Sequence, residues 1–591
     1  MNIQVIKGKV VFQKMFNESE IHAASCMGFT TNDKRDTVVA KIDTTAKEAM
    51  MGFLKLCDKG LMESPMQSVQ RGKLFSDLKL AYKESYDTFV RDFDPENLYK
   101  DVNRKLYKHQ VETLWAYQKK RINLCSFEQG LGKTIFAASI SKMFKVPRTI
   151  VIGPSLVKWN WVKDLSDEWG FNSMFFTVLD SKKCMYSIMH ERFVILNYEM
   201  VTKFWKHLTS SDCGHIIIDE SHYVKNHKSG RAKGVQKLIK HFPKARVTLL
   251  TGTPVTNRVT DLFSYLKMAQ HPLGSNFANF KERYALGKQK VIGVKNPEDL
   301  TMRISNFIVR KKTKECIDLP ELRINKYYFD MDDASVTDYN KMMDDLYEVE
   351  EAFQSITDRL KQAKEGVIHL SINEKKDMNA ELRSLRMKKK SSIHTMNRLC
   401  ANAKIPNIIK LIDDLNEKGE KVIVFSGYTE PMHTLKDHYG DAAVLIDGSV
   451  SSFKRQAAIE QFKKDPNVKV FIGQFIAGGI GINLVNSSKT IFTNFPFTPD
   501  LIEQPMKRSH RGGQTKDVDI FFTMIKDSID EQIYRIIRSK GDDINQIIDH
   551  DKEDKMEYGS LESRLFNDLF SSYRKSKGIA EKVTDGFVKV K

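Results

Sequence analysis

The stretch Phe127-Glu128-Gln129-Gly130-Leu131-Gly132-Lys133-Thr134 decides the reading of the fold. It follows an apolar run, Ile122 to Cys125, and precedes the helix-favouring IFAASISKMF. A buried strand, a glycine turn and then a helix is the context that a phosphate-binding loop requires. Glycines let backbone amides turn toward phosphate oxygens, an ammonium at Lys133 meets the β and γ oxygens, and the Thr134 hydroxyl is suited to coordinate Mg²⁺. The first glycine of the general pattern is absent, and Phe127 stands in its place. An ordinary strand-to-helix turn reads similarly over so short a stretch, so the decision passes downstream.

There the strand-like HIII leads into Asp219, Glu220, Ser221 and His222. Two carboxylates at the end of a buried strand suit phosphate hydrolysis: Asp219 to hold Mg²⁺ through its water shell, Glu220 to orient and deprotonate the attacking water. Asp-Glu after a strand is common by itself. About 85 residues beyond a Lys-Thr phosphate loop, with further strands between, the pair makes a nucleotide site. Upstream, LYKHQVETLWAY places Gln110 about twenty residues before the loop, where a carboxamide is able both to donate to and to accept from an adenine edge; a lone Gln is more often a surface residue, and the assignment rests also on the family resemblance given below. Mg²⁺ and ATP are the expected cofactors, with Lys133, Asp219 and Glu220 catalytic, and Gln110, Gly130, Gly132, Lys133 and Thr134 binding the nucleotide.

Around this centre, short apolar runs recur: TIVIGP, FVILNY, HIIIDE and VTLLTGT, separated by charged, helix-favouring segments. Runs of this length suit strands covered on both faces, as in a parallel sheet. A second set, KVIVFS, AVLIDG, KVFIGQ, KTIFTNF and VDIFFTM, begins near Lys421. The expected fold is α/β, with two parallel-sheet lobes, which the family resemblance given below implies are RecA-like, a helical insertion between them and a small N-terminal α+β accessory region. The insertion is rich in Asp, Glu, Lys, Met and Leu and nearly free of Gly and Pro, which favours long solvated helices. The expected boundaries are 1–95 for the accessory region, 96–325 for the first lobe, 326–402 for the insertion, 403–550 for the second lobe and 551–591 for a C-terminal tail.

At 591 residues the chain exceeds what one core supports, which agrees with several domains. A formal net charge of +19 makes nucleic acid the leading partner, although a basic surface also serves solubility. The basic run around Arg383, Arg386 and Lys388 to Lys390 is suited to phosphates, or to no more than a solvated helix face. The seven cysteines are scattered, with no knuckle or redox pair, and are expected to be reduced. The start, MNIQVIKGKVVFQ, lacks a signal peptide's apolar core, and no run is long enough to span a membrane. A soluble, intracellular protein is expected, in a bacterial cytoplasm, an infected host cell or a nucleus.

The motifs taken together resemble the Swi/Snf-like family of superfamily 2 DNA translocases, in family order from about Leu106 to Asp549. GPSLVKWNWVKDL (153–165), DESHYVKNHKSGR (219–231), LLTGTPVTNRVTDLFSYL (249–266) and VRKKTKECIDLP (309–320) resemble successive blocks of the first lobe. KVIVFSGY (421–428), GQFIAGGIGINLVNSSKTIF (473–492) and EQPMKRSHRGGQTKDV (503–518) resemble those of the second. The resemblance implies that Arg508 and Arg511 are arginine fingers, reaching ATP from the opposite lobe and coupling hydrolysis to lobe motion. It also implies backbone contacts to DNA from Ser155, Lys158, Thr251 and Thr253 on the first lobe and Gly478, Gly479 and Asn483 on the second. Trp159 and Trp161 read as packing residues. Phe127, Gln129 and Lys507 depart from family pattern without removing a catalytic group. DESH, the compact insertion and CANAKIPNIIKLIDDL are most similar to the HARP-like annealing-helicase branch, and residues 21–50 resemble its small recognition module without the usual Trp, which leaves this region as a sensor of DNA structure or as a purely structural cap on the first lobe.

The resemblance therefore implies a DNA-dependent ATPase that tracks along duplex or branched DNA without sequence preference. It would act as a monomer, in repair or replication. The alternatives are a strand-separating DNA or RNA helicase of the same superfamily, and a silent nucleic-acid scaffold, for which a broken phosphate loop or a missing Glu is the expected mark.

Overall fold

The computed structural model describes residues 2–6, 9–41, 46–57, 76–77, 79–81, 83–84, 86–88, 105–118, 120–169, 175–179, 184–185, 192–252, 254, 258–287, 293–450, 452–475, 482–496, 500–535, 537, 569–570 and 573. The chain divides into two compact units between Asp318 and Leu319.

The first unit begins with a small α+β module. Strands β1 (Asn2–Ile6), β2 (Lys9–Gln13), β3 (Thr30–Thr31) and β4 (Thr37–Lys41) form an antiparallel sheet in the order β1-β2-β4-β3. Helices α1 (Glu18–Cys26) and α2 (Ala46–Cys57) pack on it through Phe12, Phe16, Phe29 and Phe53. Asn17 and Glu20 close a reciprocal capping box that starts α1.

The main sheet follows. β5 (Ile122–Phe127), β6 (Thr149–Gly153), β7 (Phe176–Leu179), β8 (Cys184–Met185), β9 (Phe193–Asn197), β10 (His215–Ile218) and β11 (Arg246–Leu250) are joined, after a short hairpin of β12 (Ala285–Leu286) and β13 (Gly293–Val294), by β14 (Ile308–Lys311). Their order is β14-β5-β11-β10-β6-β9-β7-β8, parallel except for β8. β6, β10 and β11 are buried at nearly every position, as strands covered on both faces must be. The helices that matter below are α3 (Lys108–Tyr117), α4 (Lys133–Met143), α5 (Lys158–Trp169) and α6 (Pro297–Ile304). From α6 the buried Arg303 donates to Asp299 at 2.8 Å and to His22 Nδ1 at 2.8 Å, which fastens the N-terminal module to this lobe.

The second unit opens with β15 (Leu322–Phe329). β15 joins β16 (Val422–Ser426), β17 (Ala443–Ile446), β18 (Val470–Gln474), β19 (Lys489–Phe492) and β20 (Val518–Ile525) in a wholly parallel sheet, β15-β20-β19-β16-β18-β17. Between β15 and β16 stand two long antiparallel helices, α7 (Asp333–Lys364) and α8 (Ile372–Ala403). Asp332 caps α7, and a Ser371–Glu374 capping box starts α8. α9 (Thr429–Tyr439) and α10 (Asp500–Ser509) complete the elements used below.

Among the described residues no helix is long and apolar enough to cross a membrane, and six cysteines are free thiols. The tail from residue 551 lies almost wholly outside the described residues.

Candidate active site

Five neighbouring strands of the first sheet, β14, β5, β11, β10 and β6, end along one carboxyl edge, where open parallel sheets place their ligands. The loop after β5 is the quoted glycine stretch. Gly130 and Gly132 have φ of 90° and 72°, and a Cβ at Gly132 would stand 2.5 Å from Gln110 Nε2, so position 132 needs glycine twice over. Lys133 opens α4 and donates from Nζ to the carbonyls of Phe127 (3.1 Å) and Glu128 (3.3 Å), folding back over the loop it serves. Thr134 follows on the same turn, half-buried. Phe127, in the place of the first glycine, is anchored inward against Phe136 (5.0 Å) and His109 (5.3 Å).

Gln110 is turned onto the loop. It is 2% exposed; its amide donates to the Leu131 (3.0 Å) and Gly132 (3.2 Å) carbonyls, and its Oε1 accepts from the Tyr107 amide (2.9 Å). Both donors are used on the loop, so contact with adenine requires these bonds to be exchanged. Beside it, buried His109 donates from Nε2 to the Leu131 carbonyl at 3.1 Å, which leaves Nδ1 bare and without a partner. Burial holds this imidazole below its ordinary pKa, hence neutral.

The paired acids end β10. Asp219 accepts from the Trp161 indole (2.8 Å) and from the Glu220 amide (2.9 Å). Burial and the neighbouring Glu220 carboxylate push Asp219 up to about 6, against the pull of the Trp161 bond and Lys133. Glu220 sits in the left-handed region, φ 47° and ψ 53°, a strained conformation for a side-chain-bearing residue. The Tyr198 hydroxyl holds that turn by donating to the carbonyls of Asp219 (2.6 Å) and Glu220 (3.3 Å). His222 Nδ1 lies 3.3 Å from Glu220 Oε2.

Two participants escaped the sequence reading. Trp161, taken as packing, is indeed 1% exposed, yet its one polar atom meets the carboxylate of Asp219; alternating with exposed Trp159, it gave no sign of which ring turned inward. Arg310, at the end of β14, donates to the Gly252 carbonyl (2.7 Å), the Ser126 hydroxyl (3.2 Å) and Glu128 Oε1 (3.4 Å). It ties the loop after β11 to the phosphate loop, a role visible only once β14 pairs with β5.

The expected DNA contacts divide. Ser155 is exposed where the chain leaves β6. Lys158 is 3% exposed, with Nζ directed to the Leu179 carbonyl at 3.5 Å. Thr251, the residue after β11, is fully buried. Thr253, Gly478 and Gly479 lie outside the described residues. Asn483 is half-buried and accepts from the Val485 amide at 3.4 Å. Arg508 and Arg511 converge: each donates from Nη1 to the Ile482 carbonyl at 3.3 Å.

A glycine-lysine loop and paired acids on the carboxyl edge of one parallel sheet, followed by a second parallel sheet, define the class: a helicase-like protein of two RecA-like lobes. The SNF2-related domain family matches residues 107–387, and the helicase conserved C-terminal domain matches residues 403–513. The chain belongs to the Swi/Snf-like family. A SWI/SNF-related matrix-associated actin-dependent regulator of chromatin subfamily A-like protein 1 homolog of Caenorhabditis elegans is 26% identical, over 78% of this chain and 65% of its own length. DNA annealing helicase and endonuclease ZRANB3 of Mus musculus is 25% identical, over 81% of this chain and 44% of its own. The SWI2/SNF2 ATPase core of Sulfolobus solfataricus, solved in complex with dsDNA, is 20% identical over 81% of this chain and 97% of that one, with a TM-score of 0.35. The chain spans less than two thirds of the length of these curated relatives.

Proposed function

We propose that this chain is an ATP-driven translocase on duplex DNA that remodels forks, anneals strands or displaces bound protein. The observation that supports it most is the carboxyl edge of the first sheet, which holds the glycine loop, Lys133, Thr134, Asp219 and Glu220 in one lobe. The groups suit Mg²⁺ and a nucleoside triphosphate: left-handed glycines free the loop amides, and a fixed carboxylate stands beside a lysine. In this reading the loop amides and Lys133 hold the phosphates, Thr134 and Asp219 hold Mg²⁺, and Glu220 takes the proton of the attacking water. Bound Mg²⁺ supplies neutralisation of phosphate charge. Trp161 and the Glu220 amide keep the Asp219 carboxylate in one orientation, while Tyr198 holds the strained turn that carries Glu220. Gln110 sets the loop and, by exchanging its bonds, reads adenine. Arg508 and Arg511 supply positive charge during turnover.

Duplex DNA is supported by the net charge of +19 and by family membership. Ser155, Thr253, Gly478, Gly479 and Asn483 are the proposed backbone contacts, which carry no base readout and so give a sequence-independent track. Annealing or fork remodelling rests on the names of the relatives, and the N-terminal module is the proposed sensor of DNA structure. We take the working form as a monomer.

The test is steady-state ATP hydrolysis with no nucleic acid, single strands, linear duplex, forked duplex and RNA, in wild type and Glu220→Gln. Stimulation by duplex or fork, lost by about 100-fold or more in Glu220→Gln, is the expected result. Stimulation by single strands or RNA alone overturns it in favour of a strand-separating helicase.

A further inference from the structure

The α7–α8 hairpin belongs to neither sheet, and none of the roles above uses it. Its helices sort charge. From Arg383 to Ala403, α8 carries Arg383, Arg386, Lys388, Lys389, Lys390 and Arg398 with no Asp or Glu, whereas the exposed positions of α7 include Asp338, Asp345, Glu348 and Glu351.

Helical geometry sorts α8 further. At 100° per residue, Lys376, Arg383, Arg386, Lys390, His394 and Arg398 fall in a sector about 120° wide, while Glu374, Asp377 and Glu381 fall on the opposite flank. All six residues of the stripe are exposed. The seam against α7 takes Leu382, Leu385, Ile393 and Met396. Lys389 turns into that seam and is neutralised there by Glu350, so it adds nothing to the outer field. Arg386 lies over the Phe353 ring, which supports its stem and leaves its charge outside. Arg398 comes only to 4.0 Å from Glu430, with both side chains more than half exposed, a pairing worth little in water. Lys376, Arg383 and Lys390 have no ion-pair partner among the described residues.

The stripe also ends in a meaningful place. Tyr428, just past β16, donates to the His394 carbonyl at 3.1 Å, and Asn397 donates to the Phe495 carbonyl, just past β19, at 3.1 Å. Its foot therefore stands on the carboxyl edge of the second sheet. From Lys376 to Arg398 it rises about 33 Å, close to one turn of B-form DNA. Among the described residues its sector exposes only two large apolar side chains, Met387 and, one turn before Lys376, Ile372, about four turns apart, so it lacks the contiguous apolar core that a protein partner would need.

We infer that this face of α8 is a phosphate-contacting surface for duplex DNA, additional to the contacts of the lobes, which holds the duplex beside the second sheet. The inference rests on the duplex-translocase reading. Its occupant is the sugar-phosphate backbone, because spaced, flexible cations neutralise phosphates and read no bases.

The test is the salt dependence of full-length protein binding to a linear duplex several helical turns long, by fluorescence anisotropy. Each lost phosphate contact lowers the slope of log K against log salt by about 0.9, so Arg383→Gln, Arg386→Gln and Lys390→Gln together are expected to lower it by roughly 2 to 3 and to weaken binding by roughly tenfold. The charge-keeping double variant Arg383→Lys, Arg386→Lys is expected to keep the wild-type slope, and so is the acid-removing Asp338→Asn, Asp345→Asn, Glu351→Gln on α7. Glutamine suits an exposed helix, and an unchanged melting curve verifies folding. A wild-type slope in the triple glutamine variant, with wild type still binding duplex, overturns the α8 surface and spares the translocase reading. Failure of wild type to bind duplex overturns both.

Discussion

Trp161 joins the core of the first lobe to its chemistry. Its ring is buried and its indole N–H meets Asp219 at 2.8 Å, so Trp161→Phe retains the packing and leaves a buried carboxylate oxygen unpaired. A lost hydrogen bond to a charged group is worth about 1.5–3 kcal/mol, and a turnover number lower by roughly tenfold or more is expected with a near-native melting temperature. Arg310 spans three groups, Gly252, Ser126 and Glu128. Arg310→Ala is expected to lower turnover by about 10- to 100-fold while changing affinity for a fluorescent ATP analogue less than about threefold, with partial rescue by Arg310→Lys. Equal losses in both would make Arg310 a binding group. Lys133, Asp219 and Glu220 were legible because their chemistry is tied to strand ends that the apolar runs already mark. Trp161 and Arg310 were not, because their roles depend on which ring faces inward and which strand pairs with β5. The burial of Lys158 and Thr251 was not legible either: family resemblance transfers a motif's position in the chain, and burial depends on the local packing around it.

At the scale of elements, the first sheet carries a pH dependence. His215 on β10 is fully buried between the hydroxyls of Ser141 (2.7 Å) and Thr248 (2.8 Å), and burial pushes it down to about 3. His271 is pushed down to about 4, also by burial. Below pH 6.5 the unfolded chain binds protons at both sites while the folded chain does not, so stability falls as pH falls from 6.5 toward these folded values. At about 1.36 kcal/mol per unit per group, the pair removes about 4 kcal/mol between pH 6.5 and 5. The raised Asp219 works in the opposite sense and recovers a part. Urea unfolding at pH 7 and pH 5 is expected to show the loss; a flat profile would contradict neutral burial of these imidazoles. The strands of both sheets that the sequence made legible, β6, β9, β10, β11 and β16 to β20, are mostly covered on both faces and hence apolar. β14 and β15 were not, because each is the edge of its sheet, and the exposed positions of β15 admit Arg323 and Lys326 into a strand.

At the scale of the whole molecule, the two parallel sheets and the helical pair between β15 and β16 agree with the α/β architecture that the motifs imply. The N-terminal module was less legible, since its strands are short and antiparallel and its core is a cluster of four phenylalanines spread from Phe12 to Phe53. Arg303, 1% exposed, fastens that module to the first lobe, and Arg303→Ala is expected to destabilise the protein by about 2–4 kcal/mol, because it strips Asp299 and His22 of a buried cation. Denaturant midpoints check this. The central claim is movement along a duplex powered by ATP. Displacement of a third strand from a triplex by full-length protein, with ATP and Mg²⁺, tests it most directly. Wild type is expected to release the third strand while the underlying duplex stays paired, and Glu220→Gln to release none. Release that needs no ATP, or that survives Glu220→Gln, would contradict the claim.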